Sequence, residues 1–365
     1  MSHSDLWEEL RSAVLVGGCA AVGVTSATAF PEVQESLELR KAVGMNAGMH
    51  FTFGDPARST DISRSFPWAR SLVVAGFAYL PEAGSPEPTQ PNHGRVARFA
   101  TTDHYRGLKS ALDSAAQLLV AAGYQAELVV DDNRLVDRAA AVRAGVGWWG
   151  KNTMVLAPGA GPWMLLGSIV TDAELAATPP MVRDCGTCEA CLPACPTGAL
   201  VAPGVLDARL CLAHLLQARG WIPIELRRAV GDRIYGCDDC LDACPPGAKL
   251  EATALPWPRV DLLALLAQTD EELMTRFEHF YVPRRRADFL RRNILVALGN
   301  GGDEFAVAAV TGYLTHSETM LRAHAAWALG EIGGAGAVDA LQNAAIGEDD
   351  QEVRMEIESA LAGYA

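Results

Sequence analysis

The sequence predicts an α+β protein of several domains: an N-terminal α/β domain, a metal-organised module in the middle and a helical repeat at the C-terminus. Three observations support this class. Helices alternate with apolar strands up to about residue 175, eight cysteines lie within residues 185–245, and a weak internal repeat runs through roughly the last eighty residues. A length of 365 residues suits two or three domains. We therefore expect domains at 1–175, 176–255 and 256–365.

The N-terminal domain is predicted from helical periodicity and short apolar runs. Ser4 is a candidate N-cap for the first helix, and the loop at 81–95 is rich in Pro and Gly. We expect helices at 4–15, 36–48, 103–122 and 137–144, strands at 71–80 and 126–132, and a hairpin formed by TMVLAPG and WMLLGSIVTD.

A glycine-rich stretch, AGVGWWGKNT at 144–153, follows the helix at 137–144. Its glycines allow the backbone to turn sharply or to approach a ligand closely. Trp148 and Trp149 could stack on a flat apolar surface. Lys151 and Asn152 are surface or turn residues unless this loop holds a ligand.

Asp137 opens the helix at 137–144, and its position allows two interpretations. It could be an N-cap that accepts hydrogen bonds from free N–H groups of the first turn. Alternatively, it could be a carboxylic acid that donates a proton to a leaving oxygen. The residues alone leave both interpretations open.

The central module is predicted from its cysteine spacing. Cys185, Cys188, Cys191 and Cys195 are separated by two, two and three residues, and Pro196 follows. This is the pattern of bacterial ferredoxins that bind 4Fe–4S clusters. Zinc usually takes separated C-x2-C pairs, and disulfides need an oxidising compartment, so both alternatives fit less well.

A second, incomplete run has Cys237, Cys240 and Cys244 followed by Pro245, with Ile234 where a fourth cysteine would stand. We expect Cys211 to take that place from a helix. In two-cluster ferredoxins the last cysteine of a run binds the other cluster. The predicted ligand sets are therefore Cys185, Cys188, Cys191 and Cys244 for one cluster, and Cys195, Cys211, Cys237 and Cys240 for the other.

The C-terminal region is predicted to be a small helical solenoid. VALGN at 296–300, WALGE at 327–331 and SALAG at 359–363 place similar alanines 31 and 32 residues apart. Paired helices at this period are typical of HEAT-like repeats. A plain helical bundle is the alternative.

Composition limits the possible partners and location. The chain has 30 basic and 44 acidic residues, a net charge of −14, so contact with a nucleic acid would need a local basic patch. RRRADFLRR at 284–292 is the best candidate, although it could be a solvated helix start, and Arg219, Arg227, Arg228 and Arg233 could extend it. Acidic residues near the N-terminus, the lack of a long apolar run and the cysteine usage predict a cytoplasmic protein. The ninth cysteine, Cys19, is expected in a core.

The order of Asp137–Arg138, AGVGWWGKNT, CGTCEACLPACPTGAL and RIYGCDDCLDACP resembles the epoxyqueuosine reductases. Further similar segments are PWARSLVV at 67–74, ARFATTDHY at 97–105 and the stretch at 222–240. The resemblance extends from about residue 40 to the C-terminus.

This resemblance implies a nitroreductase-like domain that binds cobalamin, a ferredoxin module with two 4Fe–4S clusters, and a HEAT-like domain. It implies reduction of epoxyqueuosine to queuosine in a tRNA anticodon loop, with electrons passing through the clusters to cobalamin and Asp137 as the proton donor. The resemblance also implies a monomeric enzyme. Its implied partners are the tRNA anticodon stem-loop and a low-potential electron donor. The implied cobalamin contacts are Arg58, Asp103, Asp137, Lys151, Asn152 and Asp172, and the implied tRNA contacts are Arg219, Arg284, Arg285, Arg286, Arg291 and Arg292.

Two segments depart from the family pattern. TTDHYR at 101–106 differs from the common Asp–Tyr–His order, and HLLQA at 214–218 replaces a common Thr–Ile–Glu version. These differences leave room for a paralogue that reduces a small molecule with the same cofactors. A two-cluster electron carrier without catalytic activity is a further alternative.

Overall fold

The computed structural model describes residues 3–79, 90–251 and 259–363. The chain divides into two compact units. Unit 1 comprises the described residues of 1–84, 102–209 and 239–255, and unit 2 comprises those of 85–101, 210–238 and 256–365. Most of the predicted loop at 81–95 lies outside the described residues, as does the predicted boundary at 255/256.

The strands are short outside the main sheet. In chain order they are β1 (Cys19–Ser26), β2 (Ser71–Ala78), β3 (His93–Val96), β4 (Ala126–Val130), β5 (Trp148–Trp149), β6 (Val155–Leu156), β7 (Met164–Thr171), β8 (Leu200–Ala202), β9 (Val205–Leu206), β10 (Arg233–Tyr235) and β11 (Arg259–Asp261).

The helices are longest at the N-terminus, in the middle of unit 1 and in the C-terminal region. They are α1 (His3–Val16), α2 (Pro31–Ala42), α3 (Phe51–Gly54), α4 (Pro56–Ser59), α5 (His104–Ala121), α6 (Asp137–Arg143), α7 (Cys191–Ala194), α8 (Leu212–Leu215), α9 (Ile224–Val230), α10 (Asp239–Asp242), α11 (Pro245–Glu251), α12 (Leu262–Leu266), α13 (Asp270–Arg276), α14 (Asp288–Gly301), α15 (Ala306–Thr311), α16 (Thr319–Ile332), α17 (Ala335–Gly347) and α18 (Gln351–Ala362).

Unit 1 is built on an antiparallel sheet in the order β1-β2-β7-β4. One face packs against α5, where a side chain at Gly167 would collide with Leu112 and Val130. The other face carries Leu72 and buries the apolar residues of α6. Because α6 begins where the chain returns from β4, this packing places Asp137 at one end of the sheet.

Three local predictions in unit 1 are wrong. The helix expected at 36–48 lies earlier, because α2 spans Pro31–Ala42 and residues 43–48 form turns. Ser4 is not an N-cap, because α1 already begins at His3. The segment TMVLAPG does not pair with the strand that follows it. Instead β6 pairs with β5 across the turn at 150–153, and β7 joins the central sheet between β2 and β4. The tight glycine-containing turn brings the tryptophans beside Val155 and Leu156, and β7 is buried on both faces, as a central strand must be.

Unit 2 is mainly helical. Its three long helices α14, α16 and α18 pack in succession, with α15 and α17 between them. Close packing depends on small residues, because a side chain at Gly299 would collide with Trp327 and one at Gly330 with Ala360. A small sheet in the order β10-β3-β11 completes this unit. The predicted repeat is therefore present as stacked helices, while none of the three strands of this small sheet was expected.

Candidate active site and cluster ligands

Asp137 is the first residue of α6, and the preceding residue, Val136, is the N-cap. The N-cap interpretation of Asp137 is therefore wrong. Its Oδ1 is shielded from solvent and has no hydrogen-bond partner among the described residues. Burial raises the pKa of Asp137 well above its usual value, and the nearby carboxylate of Asp131 raises it further, while Arg138 opposes the shift. This environment favours the protonated form of the carboxyl group.

The loop that leads into α6, residues 131–136, carries two further acids. Asp131 has a left-handed backbone with φ of 51°. Asp132 accepts hydrogen bonds from Arg134, from Nε at 2.9 Å and from Nη2 at 2.6 Å. Burial by itself would raise the pKa of Asp132, but the bonds from Arg134 lower it below the usual value. The loop therefore places an ionised carboxylate close to Asp137.

Ser59 at the end of α4 holds this loop. Its Oγ donates to the carbonyl of Asn133 at 2.6 Å, and its own carbonyl accepts the N–H of Val136 at 2.9 Å. Arg134 also lies over the ring of Phe66, 4.8 Å from its centroid. These contacts fix the backbone on both sides of Leu135, just before Asp137.

Among the other buried polar atoms of unit 1, the Trp148 indole Nε1 and the Ser168 hydroxyl have no hydrogen-bond partner in the described ranges. Trp148 packs with Leu156 and Cys244, and the guanidinium of Arg183 lies 5.0 Å from the ring centroid. Buried donors and acceptors are normally satisfied, so such orphan groups are expected where a bound ligand supplies the partner. These residues are compatible with a large polar cofactor.

The predicted cobalamin contacts do not form one group. Arg58 is exposed but close enough to lower the pKa of Asp132, so it belongs with the Asp137 loop. Asp103 caps α5 by accepting the N–H of Arg106 at 3.1 Å. Asp172 accepts the backbone and side-chain N–H groups of Gln125, at the opposite end of β4 from the Asp137 loop. Asp172 is therefore not part of the group around Asp137, because its carboxylate is engaged elsewhere.

Lys151 and Asn152 lie beside the cysteine segments instead. Lys151 forms an ion pair with Glu189 at 3.5 Å. Asn152 is buried, donates to the carbonyl of Cys240 at 3.3 Å and accepts the N–H of Met154 at 3.1 Å. The GKNT turn therefore supports the backbone of a predicted cluster ligand.

Four predicted ligands of the first cluster lie in unit 1. Burial raises the pKa of the Cys244 thiol to about 11, and the nearby thiolates of Cys185, Cys191 and Cys188 also contribute. These four sulfurs thus lie within electrostatic range of one another, although Cys244 is far away in the sequence. Iron–sulfur clusters bind thiolates, and metal binding is what removes the proton from such a buried thiol. The residues fit a Cys₄ cluster.

Cys195 has a different environment. Burial alone would raise its pKa, but N–H groups of Thr197, Leu200 and Ala199 bring it below the usual value. The N–H of Ala199 lies 3.2 Å from the sulfur. Hydrogen bonds to ligand sulfurs are one means by which proteins tune iron–sulfur clusters. The turn after Pro196 is therefore shaped to stabilise a thiolate.

Two of the predicted tRNA contacts are wrong. Arg292 is 0% exposed, and it donates to the carbonyls of Leu215, Ala218 and Gly220. Arg291 is also buried and binds Asp270 at 2.8 Å. Their guanidinium groups cannot reach a phosphate, because α14 is buried on nearly all sides and its polar groups are satisfied internally.

The remaining arginines differ in their availability. Arg285 donates to three backbone carbonyls, and Arg286 pairs with Asp288 and Glu318. Arg219 and Arg284 are exposed, and neither has a hydrogen bond or ion pair within the described ranges. Of the residues suggested to extend the patch, Arg219 is thus available, whereas the other three are engaged. Arg227 and Arg228 form ion pairs with Glu356 and Glu331, and Arg233 binds the carbonyl of Val230.

Sequence reasoning missed three residues of interest: Ser59, Asp131 and Tyr281. Ser59 has no sequence signal, because its bonds go to a loop 74 residues away. Asp131 could have been noted from its position beside Asp132, directly after a strand. Tyr281 could have been noted as an aromatic residue next to an arginine run.

Comparisons with known proteins agree with this architecture. Residues 184–247, which contain all eight predicted ligands, match the family model of a 4Fe-4S double cluster binding domain. Residues 287–362 match the model of HEAT repeats. The epoxyqueuosine reductase of Bacillus subtilis is 32% identical over 99% of this chain and 96% of its own length. That of Xanthomonas campestris is 36% identical over 90% of this chain and 97% of its own.

This chain belongs to the epoxyqueuosine reductase family. Solved structures of the family support this further. A crystal structure of an epoxyqueuosine reductase with an epoxyqueuosine-modified stem loop of tRNA-Tyr has a TM-score of 0.91 and 31% identity, with 99% of both chains covered. A structure of the Bacillus subtilis epoxyqueuosine reductase, with an aspartate catalytic loop swung out of the active site, has a TM-score of 0.90 and 30% identity, covering 99% of this chain and 100% of that one.

The family membership confirms the predicted α+β class, with its ferredoxin-like module and its HEAT-like repeat. As a member of a reductase family, the protein is an oxidoreductase. None of the helices in the described part of this family member meets the requirements of a membrane-spanning segment.

Proposed function

We propose that this protein reduces epoxyqueuosine to queuosine in the anticodon loop of tRNA. It acts as a monomer in the cytoplasm and receives electrons from a low-potential donor. Residues 1–175 form a nitroreductase-like domain for cobalamin, residues 176–255 carry two 4Fe–4S clusters, and residues 256–365 form the HEAT-like domain. Family membership over nearly the full length supports this proposal.

The observation that carries the proposal is the state of Asp137. Its buried, unpartnered oxygen and its raised pKa both favour the protonated form of the carboxyl group. Converting an epoxide to an alkene consumes two electrons and two protons, and the oxygen leaves as water. Asp137 supplies a proton to the departing oxygen, which would otherwise leave as a poor, charged leaving group.

Two sets of cysteines hold the clusters. Cys185, Cys188, Cys191 and Cys244 bind one, supported by the mutual electrostatic influence of their sulfurs. Cys195, Cys211, Cys237 and Cys240 bind the other, and this assignment rests on their spacing in the sequence. Clusters of this type carry one electron at a time, so a pair of them suits a reduction that needs two.

Cobalamin, when bound, supplies the low-potential two-electron chemistry that no side chain can provide. The residues of this chain bind and orient it and hold a proton on Asp137. Arg58 and the loop at 131–136 would contact its polar groups near Asp137, and Trp148 would offer an indole N–H and an apolar face. Lys151 and Asn152 would contact the cofactor from the turn beside the cysteine segments, and Asp103 would contact it from the start of α5.

Nucleoside analysis of tRNA from a deletion strain tests the proposal. We expect epoxyqueuosine to accumulate in the deletion strain and queuosine to return with the wild-type gene. Asp137→Asn should fail to restore queuosine while both clusters remain. Asp172→Asn is the matched control, because this carboxylate lies at the other end of β4, and it should restore queuosine fully.

Unchanged queuosine in the deletion strain would rule out the proposal and favour a paralogue with another substrate. Full turnover by Asp137→Asn protein would leave the tRNA reaction standing and remove the role of Asp137. A protein that carries clusters but does not bind cobalamin, judged by its visible spectrum, would point to an electron carrier.

A further inference from the structure

A loop of unit 2, residues 281–286, presents an aromatic ring in a fixed conformation. Tyr281 is 64% exposed. Arg284 and Arg285 both have left-handed backbones, with φ of 54° and 52°, which is uncommon for residues with side chains and costs free energy. Arg285 offsets that cost by donating to the carbonyls of Met274 at 2.7 Å, Glu278 at 3.2 Å and Phe280 at 3.3 Å. The loop is therefore closed by its own arginine.

The hydroxyl of Tyr235 fixes the position of Tyr281. This hydroxyl accepts the backbone N–H of Tyr281 at 2.8 Å, and the ring of Tyr235 stacks on that of Phe280 with centroids 3.9 Å apart. The same hydroxyl lies 3.4 Å from Oε1 of Gln217. Tyr235 thus joins the loop that carries Tyr281 to the loop that carries Arg219.

The loop around Arg219 is held in a similar way. Arg292 donates to the carbonyls of Leu215 at 3.0 Å and Ala218 at 3.1 Å, and also to Gly220. Because Arg292 is completely buried, it holds this loop from the interior of the unit. The side chain of Arg219 lies on the outside and is exposed. The buried arginine thus supports the exposed one.

We propose that Arg219, Tyr281 and Arg284 form a contact surface for unpaired RNA, in which Tyr281 stacks on a base and the two arginines bind the flanking phosphates. Proteins that bind single-stranded nucleic acid combine aromatic platforms with positively charged side chains in this way. The inference rests on the proposed function, since it concerns how the same tRNA is held.

Stacking supplies most of the affinity at this surface. The chain has a net charge of −14, and the exposed Glu278 lies just before this loop, so long-range attraction to phosphates is weak. Stacking on an aromatic ring does not depend on net charge. The backbone of Tyr281 is already held by the Tyr235 hydroxyl, which reduces the entropy lost on binding.

The test is binding of an unmodified, fluorescently labelled anticodon stem-loop RNA to the intact protein, followed by fluorescence anisotropy. Tyr281→Ala should raise Kd by about 5- to 100-fold, the range expected for loss of one stacked base. Tyr281→Phe should bind like wild type. Phe305→Ala is the matched control, because Phe305 is 74% exposed elsewhere in unit 2, and it should bind normally. Arg284→Ala should reduce the slope of log Kd against log salt by about 1.

The outcomes separate the two proposals. Wild-type protein that binds no stem-loop RNA would overturn both the inference and the proposed function. If the wild-type protein binds the RNA and Tyr281→Ala binds it with equal affinity, the inference alone is overturned. If Tyr281→Ala binds RNA normally but loses turnover only with a protein electron donor, the surface docks that protein and the RNA inference is wrong.

Discussion

Asp137 differs from an ordinary helix-start aspartate in having no partner for its buried oxygen. An aspartate at the N-cap would accept N–H groups and have a low pKa. Here Val136 is the N-cap, and burial together with Asp131 raises the pKa of Asp137. Perturbed carboxylates of this kind are frequent in active sites, because they keep a proton available near neutral pH.

The pH dependence of turnover follows from this environment. A proton donor is active in its protonated form, so turnover should fall as pH rises through the raised pKa of Asp137. Asp131→Asn removes a negative neighbour and should move that fall to lower pH, with little change at low pH. The measurement is the rate of epoxyqueuosine reduction across pH with excess reductant.

Asp172→Asn serves as the control in the same series, since its carboxylate is engaged by Gln125. An unshifted profile for Asp131→Asn would show that the carboxylate of Asp131 does not act on the proton donor.

At the scale of elements, the loop at 131–136 is positioned by α4 rather than by its own helix. Ser59 is buried and binds the backbone at Asn133 and Val136. Because Asp137 directly follows Val136, the geometry of the acid depends on this bond between two elements. The sequence contains no local signal for it.

Ser59→Ala should loosen the loop. Loss of the bond leaves the Asn133 carbonyl without its partner, at a cost of about 1–3 kcal/mol. The Val136 amide should then exchange its hydrogen about 5-fold faster or more, and turnover should fall while cluster content stays constant. Ser63→Ala is the control, because the exposed Ser63 hydroxyl bonds to the neighbouring Asp61 and not to the loop at 131–136. Equal exchange rates in the two variants would argue against this role.

At the scale of the whole molecule, contacts between distant segments decide which charges are buried. Within unit 2, Arg227 of α9 binds Glu356 of α18 through two hydrogen bonds of 3.0 and 2.7 Å. Arg227 is fully enclosed, whereas the neighbouring Arg228 is exposed and pairs with Glu331. Adjacent arginines in one helix thus have very different environments.

These two ion pairs provide a matched stability experiment. Glu356→Ala leaves a buried guanidinium without its counter-charge and should lower the free energy of unfolding by about 3–5 kcal/mol. Glu331→Ala breaks an exposed pair and should cost about 1 kcal/mol or less. Chemical denaturation of the intact protein, followed by the circular dichroism of its helices, distinguishes the two variants. Similar effects of both substitutions would contradict the assigned burial.

The cluster ligands are also assembled by the whole fold, because Cys244 joins three cysteines that precede it by more than fifty residues. Anaerobically reconstituted protein should contain about eight iron atoms per chain, the sum of two 4Fe–4S clusters. Cys244→Ser should lower this to about four. Cys19→Ser should leave iron unchanged, because burial raises the pKa of Cys19 to about 12 and it belongs to the core. Full iron content in Cys244→Ser would invalidate the ligand set.

Several features of this protein could be determined from the sequence alone, because they depend on short spacings. Cysteines two or three residues apart can reach one cluster whatever surrounds them, so their pattern identifies the module. Helical periodicity predicts α5 and the C-terminal repeat for the same reason, since each helix repeats every 3.6 residues. The position of Asp137 before the glycine-rich stretch also required no tertiary information.

Only the tertiary structure decided how each charged group is used. Arg291 and Arg292 look like an exposed basic patch in the sequence, yet α14 is enclosed and both arginines are satisfied inside. The partner of β6, the bond from Ser59 and the raised pKa of Asp137 likewise depend on segments far away in the chain. Burial, desolvation and long-range hydrogen bonds are properties of the packed molecule, and a residue's neighbours in sequence do not determine them.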